Sequence, residues 1–153
     1  MKRVEVKLNL EAVAPLLDAI KEAADDLRPE LAVAAAPPPD GEPEFAEGWK
    51  RELLENQNSD IGVFLALFDR EFFTTGVLPL DANNSEAILR ACAAVRLRLH
   101  AKHLAALSDE AMESGEVAID ELPEAQRRAF AAYAFLATLQ ELIVQHLDPT
   151  VME

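Results

Sequence analysis

The sequence is poor in cysteine, glycine and aromatic residues. Because Cys92 is its one cysteine, no disulfide can form within the chain, which fits a reducing compartment. The five glycines are scattered and form neither a GxGxxG nor a Walker pattern, so no phosphate-binding loop is encoded. Aromatic residues make up only 6% of the chain while alanine is abundant, and this composition favours helix.

Basic residues are scarce as well. The 14 Lys and Arg stand against 28 Asp and Glu, which gives a net charge of −14. A field of this sign repels nucleic acids and anionic membrane surfaces. The apolar stretch 129–139 is too short to span a bilayer, and the first residues lack the apolar run of a signal peptide. We therefore expect a cytoplasmic protein that binds neither nucleic acid nor membrane.

The hydrophobic pattern predicts one all-α domain over residues 1–153. Half of the residues are hydrophobic, and their helical spacing indicates about five helices packed around a central C-terminal helix. A Pro/Ala-rich segment at about 28–43, with three consecutive prolines, predicts a flexible connector. The predicted helices cover residues 14–28, 44–56, 61–73, 85–107 and 123–147, and Thr74–Gly76 ends the third, with Gly76 at its C-cap.

Two short segments lack the helical period. Residues 4–10 alternate apolar and polar side chains, which is typical of a strand. This strand pairs either with the other extended candidate, Glu116–Ile119, or across a dimer axis. We interpret Val77–Leu80 as an extended loop on the core. The polar run Asn56–Ser59 predicts a break between the second and third helices.

Two polar residues lie where the helices are otherwise apolar. Arg96 falls inside the broad apolar arc of the fourth helix, and Gln140 points into the apolar arc of the fifth. A buried guanidinium needs acceptors, so Arg96 is either a structural ion pair or an anion anchor. We expect it to pair with Glu141, with Gln140 supplying a further hydrogen bond, and Asp69 or Glu71 of the third helix is the alternative partner.

Few residues could carry chemistry. His100 and His103 are three apart on one helical face and could share a metal with a carboxylate from Asp109, Glu110 or Glu113. No HExxH or CxxC pattern supports such a site, and no motif implies a cofactor. Cys92 lies too far along its helix from His100 for a catalytic dyad and is interpreted as a core residue.

Two motifs, one at Ala94–Leu99 with Lys102 and Leu104 and one at Leu139–Val144, resemble those of an uncharacterised bacterial family, the domain of unknown function numbered two thousand and seventeen. The run Ala94–Leu99, followed by Lys102 and Leu104, resembles that family's NDLRLxLGxRL segment. The run Leu139–Val144 resembles its LQESLV segment. The resemblance implies an all-helical protein without an assigned activity. Members are often encoded near the adaptor of the Clp protease, which implies a link to regulated proteolysis.

These observations favour a non-enzymatic interaction or regulatory protein whose partner is another protein or a second copy of this chain. A homodimer is the expected form, because the fourth and fifth helices carry more apolar surface than three short neighbours cover. The alternative is a metal-dependent enzyme that uses His100, His103 and a nearby carboxylate.

Overall fold

The computed structural model of the protein describes residues 3–32, 43–105, 107 and 122–147. These residues form a helical fold with a small N-terminal sheet, as the sequence predicted. In chain order the elements are strand β1 (Arg3–Lys7), helices α1 (Leu10–Asp26), α2 (Pro43–Leu65) and α3 (Arg70–Thr75), strand β2 (Val77–Asp81), helix α4 (Ser85–Leu99), a π-helical turn (His100–Leu104) and helix α5 (Glu124–Leu147).

The N-terminal strand finds its partner in a segment that the sequence analysis assigned to a loop. β1 pairs antiparallel with β2, with Val6 opposite Leu78 and Val4 opposite Leu80. Leu78 and Leu80 are fully buried, so the sheet lies against the core. The loop prediction for Val77–Leu80 was therefore wrong, and the strand pairs within the chain. The expected partner, Glu116–Ile119, lies outside the described residues.

Helix α1 begins at Leu10, four residues before its predicted start. Asn9 caps it, because its Oδ1 accepts from the backbone N–H groups of Glu11 and Ala12 at 3.0 and 3.3 Å. Pro15 lies inside the helix on an exposed side, where water can solvate the carbonyl that the proline leaves without an amide donor.

The predicted break at Asn56–Ser59 is also wrong, since α2 runs through it without interruption. The chain instead leaves the helix after Leu65 and starts α3 at Arg70, where Asp69 caps the backbone N–H of Phe72 at 3.0 Å. The rings of Phe64, Phe68 and Phe72 meet edge to face, with centroids 5.3 and 5.1 Å apart. This aromatic row holds α2 and α3 together across the turn.

Helices α4 and α5 share the centre of the fold. α5 packs on α4, α1 and the π-helical turn, whereas α2 packs mainly on α4. The buried side chains of α4 and α5 include Ile88, Cys92, Val95, Leu136 and Ile143. Among the described residues, no helix is both long enough and apolar enough to cross a membrane.

Candidate functional site

Arg96 lies at the contact between α4 and α5, where it meets neutral acceptors. Its Nη1 donates to Oε1 of Gln140, and its Nη2 donates to the hydroxyl oxygen of Tyr133 at 3.0 Å. The guanidinium carbon lies 4.4 Å from the centroid of the Tyr133 ring, which adds a cation–π contact. Nε is buried and has no hydrogen-bond partner among the described residues.

Gln140 connects two points of α4. While its Oε1 accepts from Arg96, its Nε2 donates to the backbone carbonyl oxygen of Leu89 at 3.0 Å. Leu89 and Arg96 are seven residues apart, two helical turns, and Tyr133 is seven residues before Gln140. These bonds fit antiparallel helices in one register, because a shift by one turn would break them together.

Glu141 does not join this cluster. Its side chain is exposed on α5 and accepts from Nε2 of Gln145 at 3.2 Å. Arg96 has no carboxylate partner among the described residues, so the expected Arg96–Glu141 pair is wrong. The sequence analysis placed Gln140 near Arg96 but missed Tyr133. The seven-residue spacing of Tyr133 and Gln140 is the sequence signal that could have identified it.

The two histidines lie in the π-helical turn that follows α4, a feature that often occurs near functional sites. Among the described residues, no group of three or more His, Cys, Asp or Glu side chains could hold a metal ion. The carboxylates considered as third ligands, Asp109, Glu110 and Glu113, lie outside the described residues. In the same turn, Nζ of Lys102 binds carboxylate oxygens of Asp26 and Glu22 at 2.9 and 3.0 Å.

Cys92 is fully buried on α4. Burial raises the pKa of its thiol to about 12, and the positive charge of Arg96 lowers the pKa only in part. A nucleophilic cysteine needs a depressed pKa, so this environment favours a packed, protonated side chain.

An open groove runs between α2 and α4. It consists of two adjoining parts of about 780 and 730 Å³, which share Leu31, Ala32 and Leu97. We call it the α2–α4 groove. Its apolar lining includes Leu31, Ala32, Leu53, Leu54, Ala94 and Leu97. Leu97 is 47% exposed, although it follows the buried Val95 by only two residues on the same helix.

The turn after α1 forms one wall of the groove, and Gln57 of α2 holds it in place. Nε2 of Gln57 donates to the carbonyl oxygens of Leu27 and Glu30, both at 3.0 Å, and its Oε1 accepts from the backbone N–H of Ala32 at 2.9 Å. Asn58 adds a bond to the carbonyl oxygen of Arg28 at 3.1 Å. The first residues of the predicted connector are therefore tied to α2, whereas residues 33–42 lie outside the described residues.

The sequence does not predict the groove, because the polar run Asn56–Ser59 indicates a helix break there. These residues are polar because two of them bind the backbone of a neighbouring turn. A polar run whose flanking apolar residues keep the helical spacing is the signal that the helix continues through Asn56–Ser59. Leu53, Ile61 and Phe64 are eight and three residues apart, a helical spacing that continues through the run and already fits one helix.

The groove lining has more basic than acidic residues, whereas the whole chain has a net negative charge. The lining contains four basic residues, Lys50, Arg51, Arg90 and Arg98, and two acidic ones, Glu30 and Asp60. Arg90 forms a two-point ion pair with Asp60 at 2.9 and 3.1 Å, and Arg98 lies 3.2 Å from Glu30. Neither Lys50 nor Arg51 has an ion-pair partner in the described part of the chain.

Comparison with known proteins gives a family but no activity. No curated protein and no solved structure matches the chain. One family model matches residues 5–147, and its description assigns no function: Domain of unknown function (DUF2017). The match covers every helix and strand described above except the first two residues of β1. The chain belongs to this uncharacterised family.

Proposed function

We propose that the protein is a non-enzymatic interaction or regulatory protein that binds a partner protein in the α2–α4 groove. The observation that carries this proposal is the groove itself, which presents Leu31, Leu54 and Leu97 to solvent between two helices. Concave apolar surfaces with a few polar groups at the edge are the usual binding sites of proteins. An exposed apolar patch of this kind marks an interaction surface.

The walls of the groove are preorganised for binding. α2 and α4 pack against each other, the Asp60–Arg90 pair links them at one end, and Gln57 fixes the turn that carries Leu31 and Ala32. A surface that already has its bound shape loses less conformational entropy on binding. These two sets of polar bonds therefore support a role in recognition.

Site-specific photo-crosslinking tests the proposal. A benzophenone amino acid at Leu97, expressed in the native cell, should give discrete protein adducts. The same group at Val144 is the control, because Val144 is 51% exposed but lies outside the groove. A second variant that also carries Leu54→Arg should lose the adducts. Equal crosslinking from Leu97 and Val144, or none from Leu97, would contradict a binding role for the groove.

We also propose that the protein works in the cytoplasm and self-associates. Phe45 and Trp49 lie four residues apart on α2 and are 57% and 38% exposed, which leaves a second apolar surface beside the groove. A two-fold dimer would cover it. Light scattering should give a dimer mass that falls to the monomer mass in a Phe45→Glu/Trp49→Glu variant. A monomer mass for the unmodified chain at micromolar concentration would refute the dimer.

We propose that the protein acts in regulated proteolysis, because members of the family that it resembles are often encoded near the adaptor of the Clp protease. Deletion of the gene should then change the half-lives of Clp substrates. Unchanged half-lives would contradict a role in proteolysis by Clp, but they would not contradict the proposed binding role of the groove.

A further inference from the structure

We propose that the α2–α4 groove selects an acidic protein segment that carries apolar anchor residues. This inference rests on the proposed function, and it specifies the chemistry of the partner. The groove differs from the rest of the chain in its local charge. The groove lining contains four basic and two acidic residues, whereas the whole chain contains 14 basic and 28 acidic ones. The groove is therefore a basic site on an acidic protein.

Two of the four basic residues in the groove lining are free to bind a ligand. The guanidinium of Arg90 is occupied by Asp60, and that of Arg98 is held near Glu30. Lys50 and Arg51 are exposed on α2 and have no ion-pair partner in the described part of the chain. They lie one helical turn before Leu54, at the edge of the groove part that Leu97 and Ala101 also line. A carboxylate at this edge would meet two cations that no ion pair occupies within the described residues.

The distance over which charges act also favours binding in the groove. At physiological ionic strength, charges are screened over roughly 8 Å, so a ligand in the groove responds mainly to the charges of its lining. Elsewhere on the surface acidic residues predominate, and their local charge opposes binding of an acidic segment. This combination confines an acidic partner to the groove and gives specificity in addition to affinity.

The apolar lining decides between classes of acidic partner. A nucleic acid would present phosphates to Lys50 and Arg51, but it would leave Leu31, Leu54 and Leu97 without apolar side chains to contact. A protein segment with Leu, Ile, Val or Phe next to Asp or Glu satisfies both parts of the groove. Such a segment would place its apolar side chains on the leucines and its carboxylates at the edge.

Peptide selection against the full chain tests this inference. A random dodecapeptide display library is bound to the immobilised protein and counter-selected against the Leu54→Arg variant, so that groove-dependent peptides are retained. We expect the retained peptides to combine Asp or Glu with neighbouring apolar residues. Selection of neutral or basic groove-dependent peptides would overturn the acidic preference and leave the binding role intact. If no peptide distinguishes the two proteins, both the inference and the proposed function fail.

Charge reversal then tests the two cations directly. The selected peptides are titrated by fluorescence anisotropy into the unmodified chain, into Lys50→Glu/Arg51→Glu, and into Lys7→Glu/Lys21→Glu. The last variant changes the net charge equally but at exposed lysines outside the groove. We expect roughly tenfold weaker binding for the groove variant and little change for the control, since each exposed pair contributes modestly. Circular dichroism confirms that both variants fold.

Two outcomes would overturn the assignment to Lys50 and Arg51. Equal weakening in both charge variants would show that only net charge matters. Binding of a single-stranded oligodeoxynucleotide that competes with the peptides would show that the site accepts any polyanion. The proposal is supported if peptides bind more weakly at physiological salt than at low salt only in the proteins that retain Lys50 and Arg51.

Discussion

Arg96 of α4 donates to Gln140 of α5, a neutral side chain, and no carboxylate balances the guanidinium within the described residues. Gln140 in turn donates to the carbonyl oxygen of Leu89, so one amide side chain contacts α4 at two points two turns apart. The sequence predicted a salt bridge at this position. The structure replaces it with an amide and a tyrosine, which fix the same helix register without a buried ion pair.

The first prediction follows from this arrangement. Gln140→Leu should reduce the free energy of unfolding by about 1–3 kcal/mol, because it leaves a partly buried guanidinium and the Leu89 carbonyl with fewer partners. Adding Arg96→Met should restore part of the loss, since both partners are then apolar. Urea unfolding of the two single variants and the double variant measures the coupling. Additive losses would show that the two side chains do not interact.

The matched control for that cycle pairs Arg96→Met with Glu141→Gln. Glu141 is exposed and bonded to Gln145, so these two changes should be additive within about 0.5 kcal/mol. If the coupling energy between Arg96 and Glu141 were as large as that between Arg96 and Gln140, it would support the predicted salt bridge instead.

The second prediction concerns Gln57 and the wall of the groove. Gln57→Leu removes three hydrogen bonds to the turn after α1 and should cost about 1–3 kcal/mol of stability. Asn56→Ala is the matched control, because Asn56 belongs to the same polar run but is exposed and makes no hydrogen bond to the turn. Alanine has the higher helix propensity, so the control should be neutral or slightly stabilising.

Chemical denaturation of both variants checks this prediction, and hydrogen exchange of Ala32 gives a local measurement. Its amide should lose protection in Gln57→Leu and retain it in Asn56→Ala. Unchanged protection in both would mean that the turn is held by other contacts.

The third prediction compares two glycines. Gly76 ends α3 with a φ of 74°, and a Cβ at this position would lie 2.7 Å from the carbonyl oxygen of Leu8. Gly76→Ala should therefore destabilise the protein by at least about 1 kcal/mol, because the strained backbone faces another backbone atom. Gly62 lies inside α2 with open space around it, and Gly62→Ala should stabilise by about 0.4–1 kcal/mol.

Thermal unfolding followed by circular dichroism distinguishes the two alanine variants. The melting temperature should fall for Gly76→Ala and rise for Gly62→Ala. A similar shift in both would indicate that the effect arises in the unfolded chain and not from the turn beside Leu8.

The fourth prediction uses the raised pKa of Cys92. Burial raises this pKa from its ordinary value of 9.0 to about 12, so the unfolded chain loses the thiol proton at lower pH than the folded chain. The contribution to stability is complete below pH about 9 and is lost as the pH rises toward about 12. Over this window the slope is at most about 1.4 kcal/mol per pH unit.

The comparison that isolates this effect is the Cys92→Ala variant. All other ionisable groups are common to both proteins, so their contributions cancel in the difference. The stability difference between the unmodified chain and Cys92→Ala should therefore shrink as the pH rises past 9. Parallel profiles of urea unfolding against pH would show that the thiol is accessible to water in the folded state.

The sequence by itself determined the helical fold and most of its core. The helical spacing of apolar residues in α1, α4 and α5 is a local property, since each helix presents its own stripe. The same local logic identified Gly76 as a helix end, the short N-terminal strand, and Arg96 and Gln140 as polar residues in apolar surroundings. Burial of Cys92 followed from its position on the apolar side of α4.

The tertiary structure decided what those polar and extended residues contact. β1 pairs with Val77–Asp81, more than 60 residues away, because the backbone hydrogen bonds of a strand carry no sequence code for their partner. Glu141 was a plausible partner for Arg96 by charge, yet the register of α4 and α5 brings Tyr133 and Gln140 to it instead. Asn56–Ser59 continues a helix because Gln57 and Asn58 bind a turn that comes from α1. The groove depends on that same long-range contact, so no local pattern could reveal it.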